Sequence, residues 1–240
     1  MAGIRLFIDH ALGAGSEILA DEGRSHYLAH VMRARPGARV LLFNGRDGEF
    51  AAEIAAITRR GVTLRVGECL RPQPPAPSIA LLVAAVKRDA LDLIARAATE
   101  LGVAAIRPVF TLRTNTARVG TARLAAIATE AAEQCGRCDV PVIAAPEPLA
   151  AVLDGWPPGR NLVVAEASGE APAPLAGLGA IAAPGGVLIG PEGGFTPREL
   201  DALRARAFVT TVGLGPRILR AETAAIAALA LVQARLGDWR

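Results

Sequence analysis

Two glycine-rich loops near the C-terminal end carry the residue types best suited to binding and chemistry. The first lies in the segment LIGPEGGFTPREL, from Leu188 to Leu200, and the second in VGLGPRILRAETAA, from Val212 to Ala225. Glycine permits positive φ angles and lets a ligand approach the backbone closely. Two such loops therefore predict a pocket built largely from main-chain amides and carbonyls, with a few side chains for chemistry.

The first loop combines a helix start with a carboxylate. Thr196, Pro197 and Glu199 predict an N-cap, a first-turn proline and a capping box. The loop therefore precedes a helix N-terminus, where anions commonly bind. It lacks the lysine of a P-loop and the spacing of a dinucleotide-binding loop, and it carries Glu192 instead. These features disfavour a polyphosphate and favour a neutral or cationic ligand.

Charged side chains give the second loop its chemistry. Arg217 and Arg220 lie on either side of two apolar residues, and Glu222 opens a nearly all-apolar helix. A helix that is apolar all round is predicted to be buried in a core or a subunit interface. One interpretation is that Arg220 acts on a ligand. The alternative is that Arg220 and Glu222 form an ion pair that only ties down the loop.

A proline-rich stretch divides the chain into two predicted domains. Residues 71–78 contain four prolines, which excludes a helix or a central strand there. We therefore predict an extended linker over residues 72–78, with one domain over residues 1–71 and a second over residues 79–240.

The first domain is predicted to be β-rich and small. Asn44-Gly45 separates two strand-like runs, as in a tight hairpin turn, and one short helix is expected from Ser25 to Met32 with Ser25 as its cap. Small barrel-like domains of this kind commonly bind RNA, although many only pack against a neighbour.

Strand-like and helical runs alternate in the second domain. This alternation predicts an α/β domain with a largely parallel sheet. Ligands bind such sheets at the carboxyl ends of the strands, and both glycine-rich loops follow predicted strands. The predicted sheet and the two glycine-rich loops therefore both indicate a ligand site at the carboxyl ends of the strands.

Composition restricts the class of protein. Mean hydropathy is +0.35 because 50 residues are alanine, and the longest apolar run has nine residues, Ala224 to Val232, too few to cross a bilayer. The N-terminus lacks the apolar segment of a signal peptide, so we expect a cytoplasmic protein. The basic residues are 25 arginines and one lysine. Arginine suits phosphate and base contacts, although codon bias is the alternative explanation.

Two pairs of residues have the spacing of metal or redox sites. Cys135 and Cys138 form a C-x-x-C pair, and His26 and His30 are four residues apart. A zinc site needs about four ligands, and the sequence offers no second pair or H-E-x-x-H pattern. We therefore expect no metal site and assign these residues to packing or to the surface.

The two loops closely resemble the signature loops of the RsmE family, the 16S rRNA uracil-N3 methyltransferases of the SPOUT superfamily. Residues 133–137 (EQCGR) are similar to a third family segment, and Lys87 together with residues 100–102 to a fourth. Residues 26–33 and 40–45 resemble the PUA-like domain of the family. Two departures are that residues 88–90 replace a frequent Gly-x-Arg and that Ala97 replaces a frequent lysine.

The resemblance implies a fold, a reaction and a set of site residues. The fold is a C-terminal SPOUT-type α/β domain with a deep trefoil knot, together with a small N-terminal PUA-like β-barrel domain. The reaction is methylation of N3 of one uridine in the 16S rRNA of the small ribosomal subunit, by a homodimer that uses S-adenosylmethionine and no metal. Carried over by position, the cofactor contacts are Leu188, Gly190, Glu192, Gly193, Leu214, Gly215, Ile218, Leu219 and Thr223.

Uracil N3 carries a proton at neutral pH, so the enzyme must promote its loss. We hypothesise that Arg220 stabilises the uracil anion or holds a neighbouring phosphate. Glu222 is one candidate for the proton acceptor, and bulk water is another.

Basic side chains at the end of the N-terminal helix are predicted to contact RNA phosphates, and a solvated helix end is the alternative. They are His30, Arg33, Arg35 and Arg39. Two other functions stay open: ribose 2′-O methylation of RNA by an enzyme of the same superfamily, and a non-catalytic RNA-binding ribosome assembly factor.

Overall fold

The computed structural model describes residues 4–116, 118–166, 178–179 and 184–239. The chain forms two compact units. The first comprises Met1–Pro75 with Ala132–Val140, and the second Ala76–Ala131 with Pro141–Arg240. Within the described ranges, no helix has both the length and the apolar character needed to span a membrane.

The first unit contains a five-stranded sheet in the order β1-β3-β4-β5-β2. β1 and β3 are parallel, and the other pairs are antiparallel. Alternate residues of β4 point into the core, as the two-residue period of a strand requires. The elements are β1 (Ile4–Phe7), β2 (Glu17–Leu19), α1 (Glu22–His26), a π-helical turn (Tyr27–Val31), β3 (Arg39–Phe43), β4 (Glu49–Thr58) and β5 (Gly61–Arg71).

The prediction that Ser25 caps the helix of this unit is wrong. Asp21 is the N-cap, and its carboxylate accepts a hydrogen bond from the Arg24 N–H at 2.8 Å. Ser25 is buried one turn later, where its hydroxyl donates to the Ala20 carbonyl and accepts from the Val62 N–H, both at 3.0 Å. The hydroxyl therefore ties α1 to β5, and the carboxylate is left to cap the helix.

The second unit contains a seven-stranded sheet in the order β12-β10-β11-β6-β7-β8, with β9 also paired to β7. All of these pairings are parallel. The elements are β6 (Ala80–Ala84), α2 (Arg88–Glu100), β7 (Ala105–Phe110), α3 (Thr121–Cys135), β8 (Val142–Ile143), β9 (Glu147–Pro148), α4 (Leu149–Asp154), β10 (Asn161–Glu166), β11 (Pro184–Ile189), α5 (Pro197–Arg204), β12 (Val209–Gly213) and α6 (Ala221–Leu236).

Helices cover both faces of this parallel sheet. Val163 of β10 packs in a core that also contains α2 and α6 residues, such as Leu229. Its neighbours Leu162 and Val164 point to the opposite face, where they pack in a core that includes Leu203 of α5. Central strands of a parallel sheet are apolar on both faces for this reason. The predicted α/β domain with a parallel sheet is confirmed.

Candidate active site

Both glycine-rich loops line one pocket of about 290 Å³. We call residues 190–196, between β11 and α5, loop 1, and residues 214–220, between β12 and α6, loop 2. The lining also includes Ala165 and Glu166 at the end of β10. β10 lies between β11 and β12 in the sheet, so the pocket opens at the carboxyl ends of three adjacent strands. Ligands of parallel sheets bind at such edges.

Loop 1 is shaped by the start of α5. Thr196 accepts a hydrogen bond from the Glu199 N–H at 3.2 Å, and Glu199 accepts one from the Thr196 N–H at 2.8 Å, which confirms the predicted capping box. The other carboxylate oxygen of Glu199 accepts from the Leu112 N–H at 2.7 Å. A turn bond from the Gly194 N–H to the Pro191 carbonyl, 2.8 Å long, closes the loop, and glycine suits position 194 because φ is +66° there.

The segment after β7 braces loop 1 from the side. The Arg113 guanidinium donates to the Gly193 carbonyl at 2.6 Å and to the Phe195 carbonyl at 3.4 Å. Charge-assisted hydrogen bonds of this kind are stronger than neutral ones. These hydrogen bonds hold the backbone of loop 1 in place before any ligand binds.

Close packing against Phe195 favours glycine at position 190. A Cβ atom there would lie 3.0 Å from Cε2 and 3.2 Å from Cζ of Phe195. Phe195 is buried and lines the pocket. Because Gly190 has no side chain, the Phe195 ring can pack against its backbone and form one wall of the pocket.

Glu166 is a pocket residue that the sequence patterns did not predict. Its side chain is 2% exposed and lines the pocket, and its Oε1 lies 2.5 Å from a guanidinium nitrogen of Arg204 on α5. The pair joins the end of β10 to the helix that follows loop 1. An acidic residue at the end of an apolar strand, at the carboxyl edge of a parallel sheet, is the sequence feature that could have identified it.

The predicted cofactor residues separate into two groups. Those that line the pocket are Gly190, Glu192, Gly193, Ile218 and Leu219. Leu188 is fully buried in the core beneath the pocket, and Leu214 is half-buried against the core of the other face. Gly215, which has φ of +98°, and Thr223 are exposed and lie outside the lining. Ile218 is 85% exposed, so its side chain is accessible to a ligand in the pocket.

Arg220 is the N-cap residue of α6, and its side chain is exposed. Glu222 is half-buried in the first turn of the same helix. Among the described residues, no ion pair joins the two, and the Arg220 side chain makes no other contact of that kind. The interpretation that the pair merely ties down loop 2 is therefore not supported, and the guanidinium is available to a ligand.

The predicted RNA-contacting side chains are exposed on the first unit: His30, Arg33, Arg35 and Arg39. His30 lines a groove of about 830 Å³ together with Arg59 and Arg60 of the β4–β5 hairpin. Arg39 lines a different groove, beside Arg65. The structure thus separates Arg39 from His30, and it adds two hairpin arginines beside His30.

The C-x-x-C pair shows no sign of shared chemistry. Cys135 is exposed, whereas Cys138 is buried, and burial raises the pKa of the Cys138 thiol. Across the part of the chain that the structure describes, no three or more His, Cys, Asp or Glu side chains are grouped as metal ligands.

Comparison with known proteins gives consistent matches to both units. A family model described as an RNA methyltransferase domain matches residues 73–233, and one described as an RNA methyltransferase PUA domain matches residues 20–67. The ribosomal RNA small subunit methyltransferase E of Rickettsia conorii is 34% identical over 233 residues, which cover 95% of this chain and 94% of the relative. The Bacillus subtilis enzyme of the same name is 30% identical, with 86% of each chain covered.

Solved structures give the same result. A ribosomal RNA small subunit methyltransferase E from Neisseria gonorrhoeae, bound to S-adenosylmethionine, superimposes with a TM-score of 0.88 at 26% identity and covers 100% of both chains. A Legionella pneumophila protein solved with bound S-adenosylmethionine superimposes with a TM-score of 0.84 at 26% identity, with 98% of both chains covered.

Proposed function

The chain belongs to the family of ribosomal RNA small subunit methyltransferases E, and from this premise we propose that it methylates N3 of one uridine in 16S rRNA with S-adenosylmethionine as the methyl donor. The main observation that supports the proposal is that loops 1 and 2 line the same pocket at the carboxyl edge of the sheet. Two relatives that share the fold along their whole length were solved with S-adenosylmethionine bound.

The lining of the pocket suits this cofactor. Phe195 and Leu219 offer apolar surface to a purine ring, and the glycines of loop 1 expose backbone groups that can hydrogen-bond to it. Glu192 brings negative charge near a cationic ligand, whereas the charge of Glu166 is offset by Arg204. The lining contains no lysine or arginine that would favour a polyphosphate. When bound, S-adenosylmethionine supplies a methyl group activated by its positively charged sulfur.

The remaining chemistry is assigned to loop 2 and the start of α6. Methyl transfer to N3 needs an unprotonated nitrogen held in line with the methyl group. Arg220, exposed beside the pocket-lining residues Ile218 and Leu219, would stabilise the negative charge that develops on the ring. Glu222 or solvent would accept the proton. N3 lies on the Watson–Crick edge, so the target base must be unpaired or flipped out of its stack.

We assign RNA binding to residues 1–71, joined by a linker over residues 72–78 to a methyltransferase domain over residues 79–240. The match of residues 20–67 to an RNA methyltransferase PUA domain supports this assignment. The exposed basic side chains of the first unit, including His30, would contact RNA phosphates.

The exposed side of α6 supports a homodimer. This helix is apolar almost throughout, and it leaves the side chain of Ile226 38% exposed. Contact with a second copy of the chain would remove this apolar surface from water. Membership of the family further supports a deep trefoil knot around the two loops and a cytoplasmic location, where ribosomal subunits assemble.

The proposal is tested by removing the gene and analysing the nucleosides of 16S rRNA by mass spectrometry. Loss of one 3-methyluridine, restored by the wild-type gene but not by an Arg220→Ala copy, is the expected result. Loss of a ribose-methylated nucleoside would instead assign 2′-O methylation. An unchanged nucleoside profile, combined with no binding of S-adenosylmethionine in calorimetry, would indicate a non-catalytic assembly factor.

A further inference from the structure

A second pocket in the methyltransferase unit is lined by three arginines. It has a volume of about 340 Å³ and includes Arg88, Arg118 and Arg123, which define what we call the arginine pocket. Apolar residues such as Val86 and Leu91 also line it. It shares no lining residue with the active-site pocket.

The arginine pocket carries an excess of positive charge. Arg123 forms an ion pair with Asp92, the one carboxylate in the lining. Arg88 and Arg118 are exposed, and among the described residues neither has a side-chain partner. With Asp92 offsetting Arg123, the guanidinium groups of Arg88 and Arg118 leave the pocket with a net positive charge that attracts an anion. Guanidinium groups bind phosphate oxygens in a bidentate manner, which a lysine cannot do.

The arginine pocket opens at the same edge of the sheet as the active site. Val86 and Arg88 follow β6, and β6 is the direct neighbour of β11, with Val83 opposite Ile189. Loop 1 begins after Ile189, and neighbouring strands lie about 4.8 Å apart. The two pockets therefore follow adjacent strands of one sheet.

The segment between β7 and α3 physically joins the two pockets. Arg113 donates hydrogen bonds to carbonyls of loop 1, and five residues later Arg118 lines the arginine pocket, together with Thr116. A ligand that occupies the arginine pocket would thus contact the segment that braces the wall of the active site.

We propose that the arginine pocket binds a phosphate group of the RNA backbone close to the target nucleotide. The proposal rests on the function proposed above, because it assigns a second contact to the same substrate. The pocket supplies charge and guanidinium geometry but no group placed to read a base. It therefore positions the strand and does not specify its sequence.

The test compares Arg88→Ala/Arg118→Ala with the wild type, and Arg96→Ala is the matched control. Arg96 is exposed on α2 but does not line the pocket. Binding is measured with unmethylated small ribosomal subunits and with 16S rRNA extracted from them, over a range of salt concentrations. Calorimetry with S-adenosylmethionine and thermal unfolding verify that the variants remain folded.

The double variant should bind RNA about tenfold or more weakly, because it cannot make the charge-assisted hydrogen bonds to phosphate. The slope of log affinity against log salt should become less negative by about 0.7 for each phosphate that the variant no longer neutralises. KM for RNA should rise with little change in kcat, and cofactor affinity should not change. Arg96→Ala should behave as the wild type in all of these measurements.

Equal RNA affinity and equal salt slopes for the double variant and the control, with normal methylation by the wild type, would overturn the proposal. Binding of inorganic phosphate by the wild type but not by the double variant, without a change in RNA affinity, would also overturn it and indicate a small-anion site. If the wild type binds RNA through these arginines but transfers no methyl group, the proposed function fails while the arginine pocket stands.

Discussion

Replacing Gly190 with alanine should damage the cofactor pocket through one contact. The added Cβ would lie 3.0 Å from Cε2 and 3.2 Å from Cζ of Phe195, closer than carbon atoms ordinarily pack, at about 3.5–4.0 Å. The φ angle of Gly190 is not positive, so the backbone itself accepts alanine. The phenyl ring must therefore move by several tenths of an ångström, and it forms part of the pocket lining.

The size of the effect follows from the cost of overpacking. Inserting a methyl group into a closely packed site costs about 1–3 kcal/mol. In a domain of this size, each kcal/mol lowers the unfolding midpoint by about 2–4 °C. A similar loss in the free energy of cofactor binding weakens S-adenosylmethionine binding by about 5- to 150-fold. Thermal unfolding measures the shift of the midpoint, and calorimetry measures the affinity for S-adenosylmethionine.

A double-mutant cycle isolates the contact. Phe195→Leu removes the clashing ring edge, so Gly190→Ala should cost much less in that background than in the wild type. Gly193→Ala is the steric control for stability, because its Cβ would meet Arg113 Cδ at an ordinary 3.5 Å, and its unfolding midpoint should change little. Wild-type stability and cofactor affinity in Gly190→Ala, or equal cost in both backgrounds, would refute this reasoning.

Three further predictions concern other parts of the molecule. Arg220→Ala should lower kcat for methylation by about 10²–10³-fold, the typical cost of removing one charge-stabilising donor, with unchanged S-adenosylmethionine affinity; full activity would exclude the role of this residue. Cys138 should resist a thiol reagent at mildly alkaline pH until the protein unfolds, because burial raises its pKa, whereas the two exposed cysteines should react at once; three fast thiols would contradict the structure. Hydrogen bonds from the Leu12 N–H and the Asn44 amide lower the pKa of Asp47 in the folded protein. The ionised carboxylate therefore stabilises the fold fully above the pKa that Asp47 has in the unfolded chain, and this stabilisation is lost as the pH falls through the lower pKa of the folded state. Asp47→Asn should therefore make the unfolding midpoint of the first unit less sensitive to acid, and an unchanged acid profile would contradict this assignment.

Local patterns in the sequence predicted the local parts of the site. The capping box at Thr196 and Glu199 depends on residues three positions apart, and the parallel sheet follows from alternating strands and helices. These features require no knowledge of distant contacts. The sequence alone therefore predicts that both loops lie at the carboxyl edge of the sheet.

Contacts between distant residues could not be predicted in the same way. Glu166 and Arg204 are 38 positions apart and meet because β10 lies beside β11 and α5 follows loop 1. The same limit explains the misplaced cap at Ser25, whose hydroxyl is engaged by Val62 of β5. It also explains why residues 132–140 were not expected to belong to the first unit.

Reconstituting the reaction from purified components tests whether the protein methylates N3 of a uridine. The purified protein is incubated with unmethylated small ribosomal subunits and isotopically methyl-labelled S-adenosylmethionine, and the digested 16S rRNA is analysed by mass spectrometry. We expect the label to appear in 3-methyluridine, at one position and approaching one methyl group per subunit. Label in a ribose-methylated nucleoside, or none at all while the cofactor binds, would contradict this expectation.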